Sequence, residues 1–447
     1  MSPLTPGSRR LRWIGAGILV LAAAYGGWRL AGRSEERARE AAKELEAEMP
    51  PEELAERLLV VDTHIDVPYR LGQQGEHPDD VSRRTARGDF DAVRARAGGL
   101  DVAWMSIYVP ASYQKGDGAK TFADGLVDMV VGIAAKNPEL FEIATGPDAA
   151  ERIAAEGKIA LPMGMENGAG IEDDLENLRH FHRRGVRYVT LTHGEDNLIC
   201  DSSYSKPESR RWHGVSPFGR QVIAEMNRLG ILVDLSHVSD KAFDQALAAT
   251  KAPPIASHSS CRHFTPGFER NLDDDRIRAL AKKGGVLQIN FGSGFLTAEA
   301  NAWSKAQWDA EEAFVAATNA KEGTAELDEY RKRYREEHAF PRATLADVVA
   351  HIEHVIEIAG VDHVGLGSDF DGVGDTLPTG LEDVSKYPNL IAELTQRGHS
   401  IEDVRKIVGG NLMRAWRETE RVAAGLRGAE PAAPPVAATD TRPVQLD

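Results

Sequence analysis

Six of the eight short apolar runs in this chain end in a histidine or a carboxylate, and this pattern constrains the fold more than any other feature. The runs alternate with helical patterns, which is typical of parallel βα units. The predicted strands are Leu58–Ile65, Val102–Val109, Ile159–Met165, Tyr188–Thr192, Ile231–Ser236, Pro254–Ser257, Gly285–Phe291 and Val364–Ser368. The clearer predicted helices are Asp173–Arg184, Pro217–Leu229, Asp240–Thr250, Asp273–Lys283 and Leu345–Ala359.

The polar residues at the strand ends distinguish a barrel from an open sheet. Periodicity alone leaves a doubly wound sheet open, but in such a sheet these residues would be spread along a line. In a barrel the carboxyl ends of all strands converge on one face, where active sites are built. We therefore predict an α/β fold, a (β/α)₈ TIM-type barrel. The converging residues are His64, Asp66, Glu166, His193, His237, His258 and Asp369.

Imidazole and carboxylate side chains are the usual protein ligands of Zn²⁺. The predicted metal ligands are His64, Asp66, Glu166, His237 and His258. A single catalytic zinc normally takes three protein ligands, so five ligands favour two zinc ions per chain. Glu166 is the expected bridge, with His64 and Asp66 on one ion and His237 and His258 on the other. A hydroxide held between the ions is the expected nucleophile.

Two strand-end residues remain for proton transfer and charge stabilisation. We expect Asp369 to take a proton from the water and pass it to a leaving amine, and His193 to donate to the developing oxyanion. With Glu166 they form the predicted catalytic set, which suits metal-assisted hydrolysis of an amide. His351 and His354 have i,i+3 spacing, but no matching carboxylate pattern on another helix indicates a second site.

The two ends of the chain differ in composition from the predicted barrel. Basic residues precede an apolar stretch, so residues 1–33 are predicted to be an export signal or a membrane anchor through residues 13–30. Residues 34–57 are expected to be a helical spacer, 58–423 the barrel with an insertion at 298–342, and 424–447 a disordered tail. The barrel is therefore expected to be exported, on the periplasmic or extracytoplasmic side of a membrane.

Charge and cysteine content exclude several classes of protein. The 53 basic and 69 acidic residues give a net charge of −16, which argues against a nucleic-acid partner. The two cysteines, Cys200 and Cys261, exclude a disulfide scaffold and a Cys₄ zinc module but leave one bridge open.

Several motifs over about Leu58 to Trp416 resemble the membrane (renal-type) dipeptidases, which are zinc peptidases on a (β/α)₈ barrel. The resemblance implies the same two-metal assignment and a small dipeptide substrate, including dipeptides with a C-terminal D-residue. It also implies that Arg270 holds the substrate carboxylate. Together with His193 and Asp369, Arg270 completes the set of residues expected to bind the substrate. The motifs are Asp62–Asp66, Gly164–Gly168, Tyr188–His193, Gly214–Gly219, Asp234–Ser239, Ser257–Ser260, Gly367–Gly372 and Gly380–Pro388.

Alternatives to a dipeptidase remain open from the sequence. A related amidohydrolase acting on lactams or N-acyl amino acids would share the metal ligands, and Arg270 discriminates, since a substrate without a free carboxylate does not need it. A catalytically inactive binding protein would be expected to lack ligands, yet all are present. The insertion at 298–342 has two interpretations: a lid or oligomer contact, such as that of a homodimer, or a solvated helical hairpin remote from the chemistry.

Overall fold

The structure, a computed structural model, describes residues 49–75, 77–116, 118–321 and 324–428. The predicted signal or anchor at 1–33, residues 34–48 of the spacer and residues 429–447 of the tail lie outside the described residues. Among the helices within the described ranges, none is long and apolar enough to cross a membrane.

Parallel pairing joins all the strands of the central sheet. Eight of them follow one another as β1-β2-β5-β6-β7-β8-β9-β10, while β4 and β3 extend the sheet from β2. Their bounds are β1 Val60–Ile65, β2 Leu100–Tyr108, β3 Phe141–Glu142, β4 Ile159–Ala160, β5 Met163–Glu166, β6 Val186–Thr190, β7 Leu232–Asp234, β8 Ile255–Ser259, β9 Val286–Ile289 and β10 Val364–Leu366.

Backbone contacts between β1 and the segment after β10 close the ring. Ile65 forms a parallel bridge with Phe370, and the Asp66 amide donates to the Phe370 carbonyl oxygen over 2.9 Å. The Asp369 amide donates to the carbonyl oxygen of His64 over 3.1 Å. The eight strands thus form a closed ring, and the predicted (β/α)₈ barrel is confirmed.

Helices connect the strands, and several of them begin at a residue whose side chain caps the first turn. Ser216 caps the helix Pro217–Leu229 by accepting from the Gly219 amide, and Pro217 occupies its first turn, where a missing N–H costs nothing. The helices are α1 Pro51–Arg57, α2 Val67–Gly72, α3 Ala92–Ala97, α4 Ala119–Lys136, α5 Pro147–Ala155, α6 Leu175–Arg183, α7 Pro217–Leu229, α8 Asp240–Ala249, α9 Asp274–Lys282, α10 Ser293–Leu296, α11 Ala298–Thr318, α12 Ala325–Glu337, α13 Leu345–Ala359, α14 Tyr387–Gln396, α15 Ile401–Arg405 and α16 Asn411–Arg427.

The third predicted strand differs from the structure. The run Ile159–Met165 is divided into β4 and β5, and Pro162 lies between them. Proline has no amide hydrogen to donate to a sheet, so it interrupts the strand pairing at this point. The short strand β3 was not predicted, because two residues are too few to show the alternation of apolar and polar side chains that indicates a strand.

Two buried clusters form the core. The larger lies among strands and surrounding helices, and the smaller joins strand residues such as Trp104 and Tyr188 to Trp416 of α16. The rings of Trp104 and Trp416 lie 4.7 Å apart, centroid to centroid. Cys200 and Cys261 are both buried and free, so the bridge that the sequence left open is not formed.

The insertion at 298–342 forms a helical hairpin of α11 and α12 after β9. Its inner contacts include a stacked pair of Phe314 and Tyr330, while Trp308 is 72% exposed. The insertion is therefore a helical hairpin, and both its role as a lid or homodimer contact and its remoteness from the chemistry stay predictions.

Candidate metal centre

The strand ends bring the predicted ligands to one place. His64, Glu166 and His258 lie within β1, β5 and β8, and each is at most 5% exposed. The others lie in the segments just after their strands. These later residues are Asp66, His193, His237 and Asp369.

Two of these loop residues adopt a left-handed backbone conformation. His237 has φ 67° and Asp369 has φ 64°, which L-residues with a Cβ adopt at an energetic cost. Such strain persists only where the surrounding structure enforces it, and it concentrates at functional sites. The turns direct both side chains back toward the carboxyl ends of the strands, where the other predicted ligands lie.

One oxygen of Glu166 faces a pair of histidines. Glu166 Oε1 lies 3.0 Å from His237 Nε2 and 3.2 Å from His258 Nε2, and the two nitrogens are 2.8 Å apart. Ligand atoms that share a tetrahedral zinc with bonds of ~2.0–2.1 Å are about 3.3 Å apart. The three atoms therefore have nearly the separations that such an ion requires.

The other oxygen of Glu166 faces a second group. Glu166 Oε2 lies 3.3 Å from His64 Nε2, which is 3.4 Å from Asp66 Oδ2. Among the described residues, His64 Nε2 and Asp66 Oδ1 are buried without a hydrogen-bond partner. Unpaired buried polar atoms cost free energy, and a divalent cation would satisfy both. The residues around the Glu166 carboxylate therefore fit metal binding.

Hydrogen bonds on the far side of two imidazoles fix their orientation. His258 Nδ1 lies 2.7 Å from Ser257 Oγ, and that hydroxyl donates to Asp234 Oδ2 over 2.5 Å. His64 Nδ1 lies 2.8 Å from the Tyr188 hydroxyl oxygen. Because the Ser257 hydroxyl donates its hydrogen to Asp234, it accepts from His258 Nδ1–H. This leaves the lone pair on His258 Nε2, which faces Glu166.

The charges of the site suit cation binding. Burial lowers the pKa of His237 and of His258 well below the usual value, which keeps both imidazoles in the neutral form that binds metal. Burial opposes ionisation of Glu166, but the surrounding imidazoles, His64 foremost, hold its pKa well below the usual range. Burial also disfavours charge on His64, yet Tyr188 and the nearby carboxylates raise its pKa, so a bound cation there would displace a proton.

Asp369 lies next to the second group and has a different character. Burial, reinforced by the negative charges of Asp66 and Glu166, raises the pKa of Asp369 to about 7. Asn290 Nδ2 donates to Asp369 Oδ2 over 2.7 Å. A Cβ on Gly372 would lie 2.2 Å from Asp369 Oδ1 and 2.3 Å from Asp66 Oδ2, so glycine is the residue that leaves room for both carboxylates.

His193 and Arg270 lie on the side of the histidine pair. His193 Nε2 is 3.5 Å from Glu166 Oε1, and its ring packs against His237 at 4.2 Å. Burial lowers the pKa of His193, so the ring is neutral at pH 7. Arg270 is 2% exposed and donates to Ser259 Oγ and to the His258 carbonyl oxygen. The structure thus brings every predicted site residue to one end of the barrel.

Sequence reasoning missed the residues that hold this site in shape. Tyr188, Ser257 and Asn290 each contact a predicted ligand or Asp369, and Asp234 holds Ser257 in place. Ser257 and Asp234 lie within predicted strands, and a polar side chain in an otherwise buried run is a signal that could have found them. The partner of each lies on a neighbouring strand, which local spacing does not reveal.

Comparisons with known proteins agree with the geometry. The model of the membrane dipeptidase family, peptidase family M19, matches residues 50–430. The dipeptidase C965.12 of Schizosaccharomyces pombe is 35% identical over 83% of this chain and 83% of its own length. The dipeptidase tcpJ of Claviceps purpurea is 37% identical over 77% of this chain and 72% of its own length.

Solved structures share the fold. The probable dipeptidase PvdM of Pseudomonas aeruginosa superposes with a TM-score of 0.71 at 30% identity, covering 83% of this chain and 98% of that one. A metallopeptidase of Rhodobacter sphaeroides, bound to a phosphinate mimic of the dipeptide L-Ala-D-Ala, superposes with a TM-score of 0.65 at 24% identity, covering 81% and 99%. On the family match and these relatives, the chain belongs to the membrane dipeptidase family, peptidase family M19.

Proposed function

We propose that this chain is a dipeptidase that uses two zinc ions bridged by Glu166 to hydrolyse the peptide bond of dipeptides. Membership of the family and the two fungal relatives named dipeptidases support a metal-dependent dipeptidase. The observation that carries the two-ion proposal is the Glu166 carboxylate. One oxygen faces His237 and His258, and the other faces His64.

The residues around the ions have separate tasks in this proposal. The ions, when bound, supply an activated water at neutral pH and polarise the scissile carbonyl. Asp369 accepts a proton from the water and returns it to the amine that leaves. Its pKa near 7 suits both directions of transfer, since a group with a pKa near the working pH is an effective acid and base.

His193 and Arg270 bind the substrate on either side of the reacting bond in this proposal. A neutral His193 donates its N–H to the carbonyl oxygen as negative charge develops there. The planar guanidinium of Arg270 pairs with the C-terminal carboxylate of the dipeptide. The ring of Phe295 lies 5.2 Å from the Arg270 guanidinium and supports its plane. The Rhodobacter sphaeroides relative binds a mimic of a dipeptide with a C-terminal D-residue, and we propose that this chain accepts such substrates too.

Hydrolysis of a small panel of dipeptides tests the proposal. Purified protein is assayed on L–L and L–D dipeptides, on their C-terminal amides and on N-acyl amino acids, before and after chelation. We expect cleavage of the free dipeptides, loss on chelation, recovery with Zn²⁺ and weak cleavage of the amides. Folded, zinc-loaded protein that cleaves N-acyl amino acids but no dipeptide would refute the proposal.

A matched pair of variants tests the bridge. Glu166→Gln keeps the size of the side chain but removes the charge that two cations share, so we expect it to hold fewer zinc ions and to lose activity. Glu172→Gln, six residues later and partly exposed, serves as the control and should retain both. Two zinc ions in Glu166→Gln at unchanged affinity would contradict bridging.

The location of the enzyme is a separate proposal. The basic and apolar residues at 1–33 favour export, with the barrel on the extracytoplasmic face of a membrane, either anchored or released. Fractionation of the source cells, with N-terminal sequencing of the mature protein, tests this. A cytosolic protein with an intact N-terminus would refute it.

A further inference from the structure

Three potential metal ligands that do not belong to the candidate metal centre form a second cluster: His263, Asp274 and His354. Their ligand atoms all lie within 4.8 Å of one another. His263 belongs to the short turn at 262–264 after β8, Asp274 opens α9, and His354 lies on α13. The sequence showed no carboxylate pattern to match His354. Asp274 supplies that carboxylate across 80 residues of chain, a separation at which spacing carries no signal.

The ligand atoms of the cluster lie near enough to share one ion once the stacked imidazole rings turn toward it. His354 Nε2 lies 2.8 Å from Asp274 Oδ1, so a shift of about 0.5 Å would reach the ~3.3 Å separation of ligands on one zinc. The His263 ring stacks on His354 with centroids 4.4 Å apart and planes at 27°. Among the described residues, the His263 imidazole has ring contacts but no hydrogen-bond partner, so both of its nitrogens are free to bind an ion.

His351 lies on the same helix as His354 and shows the contacts of a histidine with a structural role. His351, one turn before His354, is buried and accepts from the Cys261 amide at Nδ1 over 3.0 Å. Its Nε2 lies 3.0 Å from the Leu296 carbonyl oxygen. Both nitrogens of His351 are therefore occupied by the backbone, whereas His354 pairs with a carboxylate and faces a second imidazole.

The cluster is open to solvent, so an ion can reach it. His263 is exposed, Asp274 and His354 are partly buried, and a shallow cavity of about 430 Å³ opens beside the first two. Asp273 and Asp275 also line this cavity. Each already pairs with an arginine, at 2.5 Å and 3.1 Å respectively, so the ligands of the cluster are its two imidazoles and Asp274. Arg278 Nη2 lies 3.9 Å from Asp274 Oδ2, which leaves Oδ1 as the ligand oxygen on the His354 side.

We infer that His263, Asp274 and His354 form a peripheral site for a divalent transition-metal ion such as Zn²⁺. Two imidazoles and one carboxylate provide three ligands, and water completes the coordination. The ion would join the turn after β8 and the start of α9 to α13. The chain between that turn and α9 carries Arg270, which is held without the ion by its own hydrogen bonds to Ser259 Oγ and the His258 carbonyl oxygen.

Counting bound metal in matched variants tests this site. Wild type, His263→Ala, Asp274→Asn and the control His77→Ala, which removes another exposed histidine, are dialysed against the same micromolar free Zn²⁺. Metal per chain is then measured by plasma emission. Asp274→Asn keeps an oxygen for the hydrogen bond to His354, so its fold should persist. Dipeptidase activity at saturating Zn²⁺ reports that the catalytic centre is intact in each protein.

We expect His263→Ala and Asp274→Asn to bind one ion fewer per chain than wild type and His77→Ala, with equal dipeptidase activity in all four. Because the comparison is between variants, it holds whatever number of ions the catalytic centre takes. The rise in melting temperature on adding Zn²⁺ should also be smaller in the two site variants. Equal metal content in all four proteins would overturn the inference and leave Asp274 and His354 as a hydrogen-bonded tie between helices.

Discussion

The hydroxyl oxygen of Ser257 lies 2.7 Å from Nδ1 of the adjacent His258, and its own hydrogen goes to Asp234. Asp234 Oδ1 also accepts from the amides of Ser236 and Ser257, and Thr190 Oγ1 donates to Oδ2. All of these groups are buried. The chain of hydrogen bonds fixes which nitrogen of His258 carries the proton.

Ser257→Ala should therefore weaken metal binding at the histidine pair. Outer hydrogen bonds to metal-binding histidines typically contribute about 10–100-fold in affinity, because they hold the ring and its tautomer. We expect a loss of this size in a zinc titration, with activity restored by excess Zn²⁺. Ser239→Ala, which removes the cap of α8, provides a control of similar size that lowers stability by about 1 kcal/mol but leaves zinc affinity unchanged.

Gly372→Ala should abolish most activity through a steric effect on two carboxylates. The added methyl group would lie 2.2 Å from Asp369 Oδ1 and 2.3 Å from Asp66 Oδ2, far inside contact distance. Both side chains must move, and a displacement of about 1 Å at a catalytic group costs on the order of 100-fold in rate. The measurement is kcat at saturating zinc.

Gly374→Ala separates this effect from backbone strain in the same loop. Gly374 has φ +57° and nothing within 4 Å of an added Cβ, so alanine there costs about 1 kcal/mol of stability without touching the site. An equal loss of kcat in both variants would show that the loop, and not the carboxylates, responds to the substitutions.

The barrel and the convergence of the site residues could be predicted because both depend on local pattern. The spacing of His64 and Asp66 and the position of Glu166 at a strand end are visible in the chain itself. Other features depend on which strands are neighbours. The left-handed turn at His237 and the contact of Asp234 with Ser257 arise from tertiary packing, which no residue spacing encodes. The same holds for Asp274 beside His354, because their two helices meet only in the folded chain.

Asn290→Ala should shift the acidic limb of the pH dependence of kcat to higher pH. The Asn290 amide donates to Asp369 Oδ2 and so favours the ionised carboxylate, lowering a pKa that burial raises to about 7. Without the donor the pKa of Asp369 rises. The carboxylate therefore stays protonated to a higher pH, and the active, ionised form predominates only above that pH. A hydrogen bond to a charged group contributes about 1.5–3 kcal/mol, which corresponds to roughly one pH unit or more.

Wild type and Asn290→Ala are compared with the same bound metal, since cations lower the pKa of Asp369 in both proteins. Ser257→Ala at saturating Zn²⁺ is the control, because Ser257 does not contact Asp369. A shift in that control equal to the shift in Asn290→Ala would attribute the effect to the metal centre and not to the lost donor.

Asp89→Asn should stabilise the fold at alkaline pH and leave it unchanged in acid. Asp89 and Asp371 accept reciprocally from each other's amides, and Arg70 pairs with Asp371 across 2.8 Å, beside a cavity of about 590 Å³. Burial, reinforced by the charge of Asp371, raises the pKa of Asp89 from 3.8 to about 6.

Because the pKa of Asp89 is higher in the folded protein than in the unfolded chain, the stability that this group contributes is fully present below pH 3.8 and is lost as pH rises through 6. The difference amounts to no more than about 3 kcal/mol at pH 8, since each pKa unit corresponds to about 1.4 kcal/mol. Asparagine carries no charge, so its free energy of unfolding, measured with denaturant at pH 3 and pH 8, should exceed that of wild type only at the higher pH. A gain of equal size at both values would mean that the substitution improves packing and does not remove a buried charge.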